Sequence, residues 1–107
     1  MSFIGLWYIT EMEMWDEDYI NMDVQAFIQI KKDFLGYFQF GLVSGQIDGE
    51  IEKAGDEDRF YFTWEGVDEM DPVSGSGWLR LTDQNRGEGK IKFHLGDSSL
   101  FFIKRVE

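Results

Sequence analysis

The chain has 107 residues, is 43% hydrophobic and 17% aromatic, and carries a formal charge of −11 from 21 acidic and 10 basic side chains. That length allows one domain with one modest core, and that apolar content excludes a disordered chain. The absence of cysteine excludes disulfide scaffolds, thiolate metal sites and cysteine nucleophiles, and the negative charge argues against nucleic acid and anionic lipid as partners.

The dominant period along the chain is two, the mark of strands with one face in a core and one in water. A first strand is expected from about Phe3 to Met14, with Trp7 and Ile9 inward. Asp16 to Met22 has room for a single helical turn and lacks a second apolar one. Ala26, Ile28 and Ile30 then alternate with Gln25, Phe27 and Gln29, and Phe38 and Phe40 with Tyr37 and Gln39. Ile47 and Ile51 are inward in the next run, followed by Phe60, Phe62 and Trp64, then Leu79 and Leu81, then Ile91 and Phe93. A last strand is expected from about Leu100 to Val106, with Phe101 and Ile103 inward. Turns are placed at Val43-Ser44-Gly45, Ala54-Gly55-Asp56, Asp71-Pro72, Asn85-Arg86-Gly87 and Leu95-Gly96-Asp97.

About eight short strands at 8–12-residue spacing describe an all-β barrel or sandwich. Short connections favour antiparallel neighbours in chain order. Closing the meander removes its two exposed edges. The expected fold is therefore an eight-stranded antiparallel up-and-down barrel, with an open β-sandwich as the alternative. The twelve glycines and the single Pro72 punctuate strands and form no linker, so residues 1–107 read as one domain. There is no 18-residue apolar run and no charged-then-apolar start. The expectation is a cytoplasmic protein with no membrane span and no leader.

Gly5-Leu6-Trp7 on the first strand and Arg105 on the last resemble the calycin pattern of lipocalins and their relatives. That resemblance implies a calycin-like barrel with Trp7 at its closed end beneath Arg105, a cation–π contact of about 0.5–2 kcal/mol. A longer series is similar to a widespread bacterial family of small proteins. It comprises Gly5-x-Trp7, Met14-Trp15-Asp16, Gly36-x-Phe38-x-Phe40-Gly41, Gly45-x-Ile47-Asp48, Phe62-x-Trp64-Glu65-Gly66 and Phe93-His94-Leu95-Gly96-Asp97. This second resemblance implies no activity and no binding residues.

In a meander, loops after odd strands share one rim. That first rim collects Trp15, Asp16, Glu17, Asp18, Tyr19 and Asp23, then Ser44, then Asp68, Glu69 and Asp71, then Asp97, Ser98 and Ser99, with no lysine or arginine. The other rim is mixed: Lys31, Lys32, Asp33, Lys53, Asp56, Glu57, Asp58, Asp83 and Arg86. Like charges focus a field, so the first rim would attract a cation, an amine or a basic protein.

Catalytic chemistry finds no defined set. Asp16-x-Asp18 opens like a calcium loop, but Ile20 and Asn21 stand at its fifth and sixth positions. That leaves only convergence of Asp16, Asp18, Asp68 and Asp71 on a hard cation. A single His94 without cysteine does not make a zinc site. No Gly-x-Ser-x-Gly occurs, and His94, Asp97, Ser98 and Ser99 crowd one turn where a triad draws on separate elements. The expectation is a protein that is not an enzyme and has no cofactor or bound metal. The first functional reading is a small apolar or cationic ligand held at the acidic rim by Trp15, Asp16, Asp18, Trp64, Asp68, Asp71 and His94. The alternative is a protein–protein or self-association module using the acid rim or the outer sheet, with Trp78, Tyr61 and Phe27 as exposed anchors.

Overall fold

A computed structural model describes residues 2–106. Eight strands follow in order: β1 (Gly5–Met12), β2 (Phe27–Ile30), β3 (Leu35–Phe40), β4 (Val43–Ala54), β5 (Glu57–Asp68), β6 (Asp71–Asp83), β7 (Arg86–Phe93) and β8 (Ser98–Arg105). One short helix, α1 (Glu17–Ile20), lies between β1 and β2. Each strand pairs antiparallel with its chain neighbour, and β8 returns to β1, so the sheet is a closed up-and-down barrel. The order is sequential, as the short connections require, and loops after odd strands do share one rim.

An eight-stranded barrel has room inside only for side chains or one small ligand. Here side chains occupy it. Trp7, Phe38, Phe40 and Phe60 are fully buried, with Ile28, Ile30 and Leu79 between them. Rings of this size fit because glycine faces them: Gly45 lies under Phe38 and Trp64, Gly49 under Phe60 and Gly77 under Phe62. The remaining internal void, lined by Ile9, Met12, Phe38, Phe40, Phe62 and Phe101 among others, measures about 10 Å³. That is no more than the space one water molecule needs.

One inward assignment needs correction. Ile51 is 41% exposed, because β3 pairs with β4 only as far as Asp48 and the β4–β5 hairpin projects past the barrel wall. Leu81 and Phe93 sit at the two ends of the barrel, half-buried against the core. Phe3, Met12, Ile20 and Val43 join the core outside the alternating runs. Two turns fall about two residues earlier than the glycine and proline signals placed them. The β3–β4 turn is Gly41-Leu42, with Gly41 left-handed at φ 56°, and the β5–β6 turn is Glu69-Met70, with Glu69 at φ 57°. Pro72 opens β6, a position where the missing N–H is tolerated.

The end opposite the acid rim is closed by Phe3, Trp7 and Phe34, the outer two packing on Phe60 at 5.9 and 6.0 Å. Trp7 donates its indole N–H to the Phe3 carbonyl at 3.0 Å. The Arg105 guanidinium lies 4.1 Å from the Trp7 ring centre and donates to the carbonyls of Ser2, Ile4 and Gln84. Gly5 (φ 138°) stands where a Cβ would come within 2.8 Å of the Arg105 side chain, so that position must be glycine.

Candidate functional site

The first rim is plugged. Asp16 caps α1 by accepting from the Tyr19 amide at 2.9 Å, and the helix drops Ile20 into the barrel mouth, fully buried. The Gly41 amide donates to the Ile20 carbonyl at 2.8 Å, tying the helix to the β3–β4 turn. Trp15 lies across the opening against Phe40 (5.1 Å), Phe93 (6.0 Å) and Tyr19 (6.5 Å). Trp64 is not at the mouth. It is buried below Phe93, edge-on at 5.1 Å, and its indole N–H has no hydrogen-bond partner among the described residues. The expected route for a ligand between Trp15, Trp64 and Asp68 is therefore filled with side chains.

The carboxylates do gather at this rim, on the outside of the plug. Asp16, Glu17, Asp18 and Asp23 belong to the β1–β2 connection, Asp68, Glu69 and Asp71 flank the β5–β6 turn, and Asp97 ends the β7–β8 turn. Among the described residues, no three of the His, Asp and Glu side chains stand close enough to hold a metal ion. One cation also reaches this rim, contrary to the sequence expectation: Lys92 bends over the β7–β8 turn toward the carbonyls of Phe93 and Gly96. His94 occupies that turn, exposed, and its backbone amide donates to the Ser74 carbonyl at 2.7 Å. Ser99 is buried, with its hydroxyl accepting from the Met14 amide and donating to the Leu100 carbonyl, a structural role that removes it as a nucleophile.

What sequence reasoning missed at this rim is its apolar tips. Met70 and Leu95 are each 92% exposed at the ends of neighbouring odd-strand loops, and Met14, Met22 and Leu42 are exposed on the other two. Leu95 is held outward by a left-handed backbone at φ 58°. Single non-alternating apolar residues in turns carry no periodic signal, so only loop placement sets them at the same rim.

The outer wall differs from expectation too. Trp78, Tyr61 and Phe27 are half-buried, not free anchors. Arg59 covers Trp78 at 4.5 Å, and Phe27 packs on Tyr37 at 6.0 Å. Among the described residues no ion pair joins β1 to β8, where Tyr8 faces Lys104 and Glu11 faces Phe102. Ion pairs gather instead around β5–β7. Glu57 accepts from Arg80 at 3.0 Å and from Arg59 at 3.2 Å, and Arg80 also reaches Glu88 at 2.7 Å. These hydrogen bonds, Arg80 first, hold the Glu57 carboxyl below its ordinary value and push the Arg80 guanidinium higher still. A depressed carboxyl stabilises the fold fully above its unfolded value and loses that stabilisation as pH falls through the folded one. As pH falls below the ordinary carboxyl value of 4.5, the parent should therefore lose denaturant resistance that Glu57→Gln has already lost. The gap between their unfolding midpoints should narrow as pH falls and shrink in salt, since the cluster is solvent-exposed.

Across β3 to β7 the outer face is concave. One hollow on it has a volume of about 870 Å³ and is lined by Gln46, Thr63, Ser74 and Ser76 among others. It runs into adjoining hollows of about 620 and 770 Å³. No helix of the described chain is long and apolar enough to cross a membrane. No family model, no curated protein and no solved structure matches the chain.

Proposed function

We propose that the protein is a non-catalytic binding module that holds a basic, amphipathic polypeptide against its first rim. The observation that carries this reading is the pairing of exposed aliphatic tips, Met70 and Leu95, with carboxylates on the same loops. Exposed apolar side chains grouped at one end mark an interaction surface. Methionine there adapts to a partner's shape. The surrounding Asp16, Asp18, Asp68 and Asp71 would steer and select a positively charged segment and weaken its hold as salt rises. The solid interior turns the ligand-in-barrel reading into this surface reading. A kinship with calycins belongs to the same proposal, supported by the closed eight-strand meander and the Trp7–Arg105 stack.

The test is calorimetry with a synthetic helix of leucine and lysine, leucines on one face. Binding should be detectable at low salt, and the double variant Met70→Asp, Leu95→Asp should weaken it about tenfold or more. Equal binding by that variant, or by a scrambled peptide of the same charge without an apolar face, overturns the proposal.

A further inference from the structure

The trough on the outer wall is a second surface, which meets the rim at His94. Its strands cross in registered rows. One row runs Tyr37, Gln46, Glu65, Ser74, and the next runs Leu35, Asp48, Thr63, Ser76, Lys92. All of these side chains point outward, on the phase opposite to Phe38, Ile47, Trp64 and Ile91. The depression follows β6, whose outward side chains there are small, Ser74 and Ser76, between the larger Glu65 and Thr63 on β5 and Lys92 on β7. Its length follows from Ser44 to Glu50 along β4, both of which line it. Six residue steps of about 3.3 Å make a trough of roughly 20 Å.

Its chemistry is balanced. The hollow of about 870 Å³ is lined by two lysines, Lys31 and Lys92, and two carboxylates, Asp48 and Glu65, so these four sum to +2 − 2 = 0. In a chain of net charge −11 this balance is local. None of the four is in an ion pair among the described residues. Glu65 and Lys92 stand two strands apart, roughly 9–10 Å, too far to neutralise each other directly. The lining therefore offers the Asp48 and Glu65 carboxylates, the Lys31 ammonium, a carboxamide and three hydroxyls, while the Lys92 ammonium is turned toward the carbonyls of Phe93 and Gly96. Aromatic groups stand toward both ends: Tyr37 at one, Tyr61 and Trp78 at the other.

We infer that this trough binds a neutral polyhydroxylated chain, an oligosaccharide of several sugar units. A polyanion would meet Asp48 and Glu65, and a polycation would meet Lys31 and Lys92. Along Gln46, Thr63 and Ser76 a peptide adding itself as a strand finds no free edge, because each of these residues is paired on both sides. A sugar chain uses what is present: hydroxyls that both donate and accept can bond to the carboxylates, the lysines and the Ser/Thr floor, and apolar sugar faces can lie on the Tyr37 and Tyr61 rings. The volume of about 870 Å³ is within the range of small-ligand sites.

The experiment is an amide NMR titration of the intact protein with a panel of neutral hexasaccharides (cello-, malto-, xylo- and chito-hexaose) at millimolar concentration. At least one should shift the amides of Gln46, Thr63, Ser74 and Ser76 and leave those of Met70 and Leu95 still. Ser76→Leu, which fills the floor, should abolish those shifts, and Tyr37→Ala should weaken binding about tenfold, with both variants giving folded spectra. Shifts that survive Ser76→Leu overturn the assignment, as does a panel that moves none of these amides. A short neutral peptide that moves them where the sugars do not overturns it in favour of a peptide ligand. Peptide binding at the rim is read at Met70 and Leu95, so each surface fails or stands separately.

Discussion

Replacing Trp7 with alanine should cost about 3–5 kcal/mol, the range for removing a buried aromatic, and lower the melting temperature by roughly 15 °C or more. The expectation rests on three losses at one place. Trp7 is 0% exposed and fills the closed end, so truncation leaves a hole that the surrounding strands, locked in a closed ladder, cannot collapse into. The Phe3 carbonyl loses its indole donor. Arg105 loses the ring beneath it, and with it the packing that aims its three carbonyl contacts. Differential scanning calorimetry of the purified variant is the measurement. A Trp7→Ala protein with the parent melting temperature would contradict the inward packing of the first strand.

Gly75→Ala should be worse than its one added methyl implies, costing about 3 kcal/mol or more at the upper end of overpacking. A Cβ at Gly75 would fall on the Lys92 carbonyl oxygen across the β6–β7 ladder and within 2.9 Å of the Trp64 indole nitrogen. Neither neighbour is the free end of a flexible side chain: one is backbone, the other a ring buried under Phe93. The control is Gly55→Ala in the β4–β5 turn, where a Cβ meets nothing within 4 Å and only the left-handed backbone, φ 68°, resists it. That strain amounts to about 1–2 kcal/mol. Urea unfolding of the two variants side by side separates close approach from backbone strain. Equal midpoints would show that β6 shifts freely at Gly75.

The barrel was readable because its strands alternate on one phase for long runs. Ala26-x-Ile28-x-Ile30 and Phe60-x-Phe62-x-Trp64 can bury one face only by joining a sheet, and short turns leave each strand little choice of neighbour. The Trp7 and Arg105 pair was legible only through the resemblance of Gly5-x-Trp7 and Arg105 to the calycin pattern, and the physical reason for it is the register that sets Arg105 opposite Trp7 on the adjoining strand. The end of that phase rule was not readable: Ile51 obeys the period, yet β4 outruns β3 and leaves it in water.

Chain order alone was enough to bring the carboxylates of the odd loops to one rim. Whether the rim was a mouth or a lid was beyond a pattern of residues. Trp15 and Ile20 lie in an irregular connection with no period to give their direction, and only packing against Phe40 and Phe93 turns them inward as a plug. The same holds for the exposed Met70 and Leu95 and for the hydroxyl floor of the outer trough. Alternation tells which side of a strand faces out. How far the sheet curves, and which outward side chains then share a hollow, follows from volumes summed across several strands at once, a quantity no local stretch of chain contains.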